Sequence, residues 1–323
     1  MEGLQTNWGW LIAVYLFLGG LGAGSFVASA TVTLVTGERY KPAVRFGAWI
    51  GAIAMAVGVL VLLIHSGKPF RALVMFRSFS NFDSWMAIGA WLLFGAILLN
   101  GLFALLWTDH VLTWVGPRVK WLVEKRKVFR AIVAAVGIPV NLGVAVYTGV
   151  LLGVLPFRPF WNTWFLPALF TASALSVGAV CLATYEHLRD GGKRVNGLVR
   201  AVGAFHLAMI VVEVVIWVYY LRTMLNGTPD MASSASILIS GQLAPVFWVV
   251  VIGLGLAIPF VVHTIQLSQL FKLPHAVFVV AIATALVGGW TLRFVVLSAG
   301  LPQSLSSPAF SQALDGVRIF LSH

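Results

Sequence analysis

"FGAWIGAIAMAVGVLVLLI", residues 46–64, carries no charged side chain, and the stretch after it, "HSGKPFRALVMF", residues 65–76, opens with His65, Lys68 and Arg71. At a rise of about 1.5 Å per residue, nineteen uncharged residues make a helix of about 28 Å, close to the thickness of a bilayer's hydrocarbon core. Residues 46–64 therefore read as a membrane span that ends in a cationic turn. The whole chain has the same character. Of its 323 residues, 60% are hydrophobic and 10% charged, with a mean hydropathy of +0.95. That is more apolar surface than one water-soluble core can enclose.

Seven further stretches have the required length. The predicted spans run over about 10–35, 46–64, 85–107, 129–155, 164–185, 199–221, 246–265 and 276–297, which defines an all-α integral membrane protein with eight transmembrane helices. The first span is too long and too glycine-rich for a cleaved signal peptide and has no positive charge before it, so it is expected to remain as a helix. An even number of spans puts both termini on one side. The loops after spans one, three, five and seven hold 14 of the 21 lysines and arginines, and the opposite side holds six. By the positive-inside bias the first group of loops is cytoplasmic and both termini are extracytoplasmic. Residues 1–300 form the expected transmembrane domain and residues 301–323 an extracytoplasmic tail.

The net charge of +11 follows from these anchoring cations, which sit in short loops where they meet anionic lipid headgroups. Nucleic-acid binding is thereby excluded. The single cysteine, Cys181, excludes an internal disulfide and cannot by itself hold an iron–sulfur cluster or a structural zinc, so no metal site is expected in this chain. It reads as a packed core thiol.

Ionisable groups within spans are costly and usually face an interior cavity. Reading the spans alternately up and down brings His65, Asp83, Tyr147, Glu213 and Arg293 to the outer half, with Glu213 about 13 Å below the outer end of span six. The inner half has Asn100, Asn141, His206 and His263. Donors and acceptors set in an apolar wall near one face suit an amphipathic ligand whose polar head is hydrogen-bonded while its tail stays in lipid. A quinone has that form.

Several stretches together resemble the NrfD/PsrC family, the membrane subunits of polysulfide reductase and related molybdenum or multihaem respiratory complexes. They are "WGWLIAVYLFLGGLGAGSF" (8–26), "GKPFRALVMFRSFSNFDSWMAIGAW" (67–91), "YTGVLL" (147–152) followed by "PFWNTWFLPALFTASALSVG" (159–178), "GQLAPVFWVVVIGLGLAIP" (241–259) and "GGWTLRFVVLSAG" (288–300). They follow the family's order over most of residues 8–300. The resemblance implies an eight-helix, haem-free subunit in a bacterial or archaeal cytoplasmic membrane. It implies electron exchange with menaquinone near the outer face, through an extracytoplasmic four-cluster ferredoxin-like iron–sulfur subunit, to or from a molybdopterin or multihaem catalytic subunit. Tyr147 matches the tyrosine that looks like the family's partner for a quinone carbonyl, and Arg293 matches the arginine of the last helix. His65 departs from the aspartate that relatives often carry before a Gly-Arg-Pro turn.

Quinol oxidation releases two electrons and two protons, so the ring oxygens need hydrogen-bond partners and the protons need bases. Tyr147, His65, Arg293, Asp83, Tyr15 and Trp161 are the expected quinone-binding residues. Glu213, His206 and Asp83 are the expected proton carriers, and His206 and Glu213, seven residues apart, share one helical face. Lys68, Arg71 and Arg77 form a rim that faces a partner or the site. Each has a plainer role available, such as interfacial anchoring for the cations, the tryptophans and Tyr15, or packing for Tyr147 and His206. A haem-binding cytochrome would need paired axial histidines at membrane depth, and only His206 is clearly within a span. A secondary transporter is the reading from another class, weakened by the absence of a visible repeat of the two halves. The outer loop from Arg222 to Pro245 and the tail stripe Phe310, Leu314, Val317 and Leu321 are expected docking surfaces, and loop three a surface helix.

Overall fold

In the computed structural model, residues 9–65, 84–115, 120–189, 195–269 and 274–300 are described. Trp8 and the tail 301–323 lie outside them. Helix α1 (Trp10–Thr36) ends at Gly37, whose φ of 62° suits glycine and whose N–H reaches Thr33 O at 2.9 Å. The polypeptide returns as α2 (Lys41–His65) and rises again as α3 (Trp85–Leu106). Loop three contains two short helices, α4 (Asp109–Val115) and α5 (Lys120–Glu124), before α6 (Arg126–Gly153) and α7 (Phe165–Arg189). Helix α8 (Gly197–Leu225) starts at Asn196, whose side chain accepts from Val199 N at 3.0 Å. The outer loop folds into α9 (Pro229–Ile239), capped by Thr228. Span seven is π-helical over Val246–Ala257 and continues as α10 (Ile258–Ser268), and α11 (His275–Ala299) completes the bundle.

Eight helices among the described residues are long and apolar enough to cross a membrane. Their ends lie within a few residues of those read from hydropathy. The largest differences are in span two, where α2 begins at Lys41, and in spans five and six, where α7 reaches Arg189 and α8 reaches Leu225.

Burial identifies the centre of the bundle. The most apolar windows of α1 and α7 are 61% and 78% buried, against 33% for α2 and α3 and 28% for α8. Small residues explain why α1 and α7 can lie so close. A Cβ placed on Gly24 would fall 1.9 Å from the Ala174 carbonyl oxygen, and one on Gly178 would fall 2.1 Å from the Gly24 carbonyl carbon. With no hydrophobic force between helices in lipid, such backbone approach is a main source of packing energy. The outward faces are apolar, as at Val211, Val215 and Val218 of α8. Trp10, Trp85, Trp164 and Trp248, all exposed, stand at the starts of spans one, three, five and seven. In alternating spans these positions share one end of the bundle, where they form an aromatic belt.

Candidate functional site

Two buried polar groups flank α1. On one side Tyr147 of α6, 6% exposed, lies against α3 at Gly89, where an added Cβ would sit 1.8 Å from the phenol Cζ and 2.2 Å from its oxygen. Only glycine leaves room for that ring. Tyr15 of α1, 2% exposed, lies near Tyr147. Toward the other end, Asn141 donates to Asn100 Oδ1 at 2.9 Å and Asn100 donates to Gly51 O, which ties α6, α3 and α2 together.

On the other side of α1 is Arg293 of α11, 1% exposed. Its Nε donates to Leu16 O at 3.2 Å, one Nη to Gly289 O at 2.7 Å and Ser173 Oγ at 3.3 Å, and the other Nη to Phe170 O at 3.4 Å. The guanidinium also stands 5.1 Å from the Phe170 ring centroid and crowds Gly20, whose Cβ would come within 2.8 Å of Nη2. A cation costs about 2.5–3.5 kcal/mol at mid-bilayer on insertion scales, and these acceptors offset that penalty. Arg293 makes no ion pair with Glu213 among the described residues.

Glu213, 2% exposed, instead faces a cavity of about 10 Å³, close to the size of one water, whose wall includes Ser173, Ser176, Gly255 and Gly288. Gly255 and Gly288 meet nearly backbone to backbone, since a Cβ on Gly288 would lie 2.2 Å from Gly255 Cα. Helix α8 runs past its apolar core, so Glu213 lies about 18 Å along the axis from its C-terminal residue, Leu225. Ser176 joins this cavity to His206, its Oγ 3.0 Å from His206 Nδ1. The His206 ring meets His263 of α10 at 4.9 Å between centroids, edge to face, and His263 Nδ1 pairs with Pro259 O at 2.9 Å. His263 thus lies within a span beside His206, where the sequence clearly places only His206. Further along, His187 packs 4.2 Å from Phe278 and 6.0 Å from His275.

Trp161 is fully buried, but its indole N–H donates to Val296 O at 2.8 Å. Arg158 stacks over it at 4.7 Å and donates to Gly300 O, so this part of the loop fastens α11. Of the expected site residues, the structure therefore brings Tyr15 to Tyr147, and Glu213 to His206 and the Arg293 network. The side chain of His65, together with Lys68, Arg71, Arg77 and Asp83, lies outside the described residues. The expected set does not include Ser173, Ser176 or Gly89. Ser173 and Ser176, three residues apart in "SALS", already share a helical face in the sequence, but serine is common at helix contacts and carries little signal alone.

The profile of the family described as Polysulphide reductase, NrfD matches residues 2–303. A polysulfide reductase polypeptide of Wolinella succinogenes is 30% identical over 310 residues, which cover 91% of this sequence and 94% of that one. Protein NrfD of Escherichia coli is 26% identical over 314 residues, with the same coverage of 91% and 94%. A selenate reductase subunit of Mesobacillus selenatarsenatis is 23% identical over 287 residues, which cover 81% of this sequence and 67% of that protein.

Proposed function

This protein belongs to the NrfD family, and from that premise we propose that it is the quinone-reactive subunit of a respiratory reductase complex in the cytoplasmic membrane of a bacterium or archaeon. It exchanges electrons between menaquinol and an extracytoplasmic iron–sulfur subunit. That partner hands them to a molybdopterin or multihaem catalytic subunit, or receives them from it. Relatives named as components of polysulfide and selenate reductases support the existence of such partners.

The observation that carries the reading is the pair of buried polar groups on either side of α1, in a wall otherwise made of apolar helices. Oxidation of one menaquinol yields menaquinone, two electrons and two protons. Tyr147 bonds a ring oxygen from its fixed position over Gly89, with Tyr15 beside it. Glu213 receives a proton through its water-sized cavity, and Ser176 and His206 extend the relay. Arg293, held by four protein oxygens, supplies positive potential that favours charge on the reduced ring. His65, Asp83 and the cations Lys68, Arg71 and Arg77 complete the rim in this proposal.

Gentle detergent purification of the tagged protein, followed by protein, metal and quinone inventories, tests this. An iron–sulfur protein, a molybdenum or haem enzyme and menaquinone are the expected companions. A lone protein free of metal and quinone would overturn the proposal and favour the transporter reading.

A further inference from the structure

A second cavity, of about 240 Å³, lies between the C-terminal turn of α1 and the first turns of α6, at the end of the bundle opposite the aromatic belt. Its charge is unusual for the start of a helix. Helix α6 opens with Lys125 at the cap, Arg126 and Lys127 in the first turn and Arg130 a turn later, with no acidic residue in the first turn. A helix N-terminus already carries positive partial charge and is stabilised by anions, so cations there are unfavourable unless a negative group covers them. Glu38 is the one carboxylate in the wall. It pairs with Arg130 and lies 3.8 Å from Arg126, which leaves the exposed Lys127 with no ion pair among the described residues.

Unfilled donors point the same way. Arg130, 2% exposed, uses Nε and one Nη on Leu106 O, at 2.9 and 2.7 Å, and another Nη on Glu38, and its guanidinium stacks 4.1 Å from the Trp107 ring centroid. A guanidinium has five N–H groups, so two have no acceptor among the described residues. The buried Trp107 indole N–H in the same wall also has none. Excess positive charge and open N–H donors suit a phosphate. The rim decides which phosphate. Leu34 lines the cavity, and Val35, Val128 and Ile132, each next in sequence to a lining residue, are exposed at the ends of two membrane helices. A free anion makes no use of that apolar rim, whereas acyl chains do.

We infer that this cavity is a binding site for the headgroup of an anionic phospholipid, with Lys127 and Arg130 on its phosphate and Leu34 and Ile132 along its acyl tails. The site is separate from the redox proposal, and its test reads lipid rather than electron transfer. The full-length protein is placed in nanodiscs of phosphatidylcholine with a rising fraction of phosphatidylglycerol, and retained lipid is then read by native mass spectrometry. Retention of phosphatidylglycerol over phosphatidylcholine by roughly tenfold is expected. Lys127→Glu removes that preference, Lys127→Arg keeps it, and millimolar inorganic phosphate does not displace the lipid. Because Lys127 is exposed and unpaired, its variants fold, and wild-type thermal midpoints confirm it. Equal retention of the two lipids, or an unchanged preference in Lys127→Glu, overturns the inference. Displacement by inorganic phosphate reassigns the cavity to a free anion, and an acidic polypeptide recovered in place of lipid reassigns it to a protein partner. Both results also overturn it.

Discussion

Tyr147 depends on what Gly89 lacks, and the two residues give distinguishable variants. Tyr147→Phe keeps the ring in its slot and removes only the hydroxyl. Menaquinol turnover is expected to fall roughly tenfold, the value of one hydrogen bond, with an unchanged thermal midpoint. Gly89→Ala forces a methyl to within 1.8 Å of the ring, so turnover and midpoint fall together, with a stability loss of about 1–3 kcal/mol. Glu213→Gln is close to isosteric and removes the carboxylate that takes the proton in the proposed reaction. Turnover is expected to drop on the order of 10²-fold, while the midpoint holds, because a neutral amide is no harder to bury than a carboxylate. A midpoint collapse in Glu213→Gln would make that residue structural. How much of this was legible in the sequence depended on cost. Glu213 and Arg293 stood out because charge is rare at membrane depth, and Tyr147 because it sits in a recognisable motif. Ser173, Ser176 and Gly89 did not, since small residues in a membrane helix look alike until their neighbours are known. The same limit applies to Trp161, whose place in the sequence does not disclose that its N–H is committed to Val296.

At the level of elements, the eight helices were readable because each needs about twenty apolar residues, and that requirement is written directly in composition. The ends were less so. Helices α7 and α8 run past their apolar cores to Arg189 and Leu225, because hydrogen bonding continues a helix after hydropathy has faded. The π-helical Val246–Ala257 has no compositional mark at all, since its i→i+5 pairing serves the same apolar residues an α-helix would. Its place beside Glu213, through Val251 and Gly255, fits the tendency of π-helix to occur at functional sites. The α1–α7 crossing yields the sharpest prediction at this scale. Gly24→Ala places a methyl within 1.9 Å of the Ala174 oxygen. The two central helices must separate, at a cost of at least about 1–3 kcal/mol, visible as a lowered thermal midpoint. Gly101→Ala, where an added Cβ meets nothing within 4 Å, serves as the control and is expected to hold or slightly raise the midpoint, since alanine favours a helix over glycine by about 0.5–1 kcal/mol.

Across the whole molecule, loop three is clamped to the α1–α2 turn by Lys41 donating to Asp109 at 2.6 Å, with Arg45 at 4.0 Å. The Lys41 hydrogen bond holds the Asp109 carboxyl below its ordinary value of 3.8. A depressed carboxylate contributes stability that is fully present above the unfolded value and is lost as pH falls through the folded one. Wild-type and Asp109→Asn thermal midpoints are therefore expected to differ slightly at neutral pH, by the equivalent of about 0–1 kcal/mol for so exposed a pair, and to converge below pH about 4. Sidedness is open to direct measurement because Cys181, the single native thiol, is buried. Cysteines introduced at exposed Asn226 and exposed Lys127 should react with a membrane-impermeant maleimide from opposite faces, and labelling of both from one face would overturn the alternating topology. The position of α1 has a mechanical consequence. Consecutive residues of this one helix serve both polar groups, Tyr15 toward Tyr147 and the Leu16 carbonyl toward Arg293. A small roll of α1 about its own axis would therefore displace both groups together, like the two arms of a seesaw, with no loop between them.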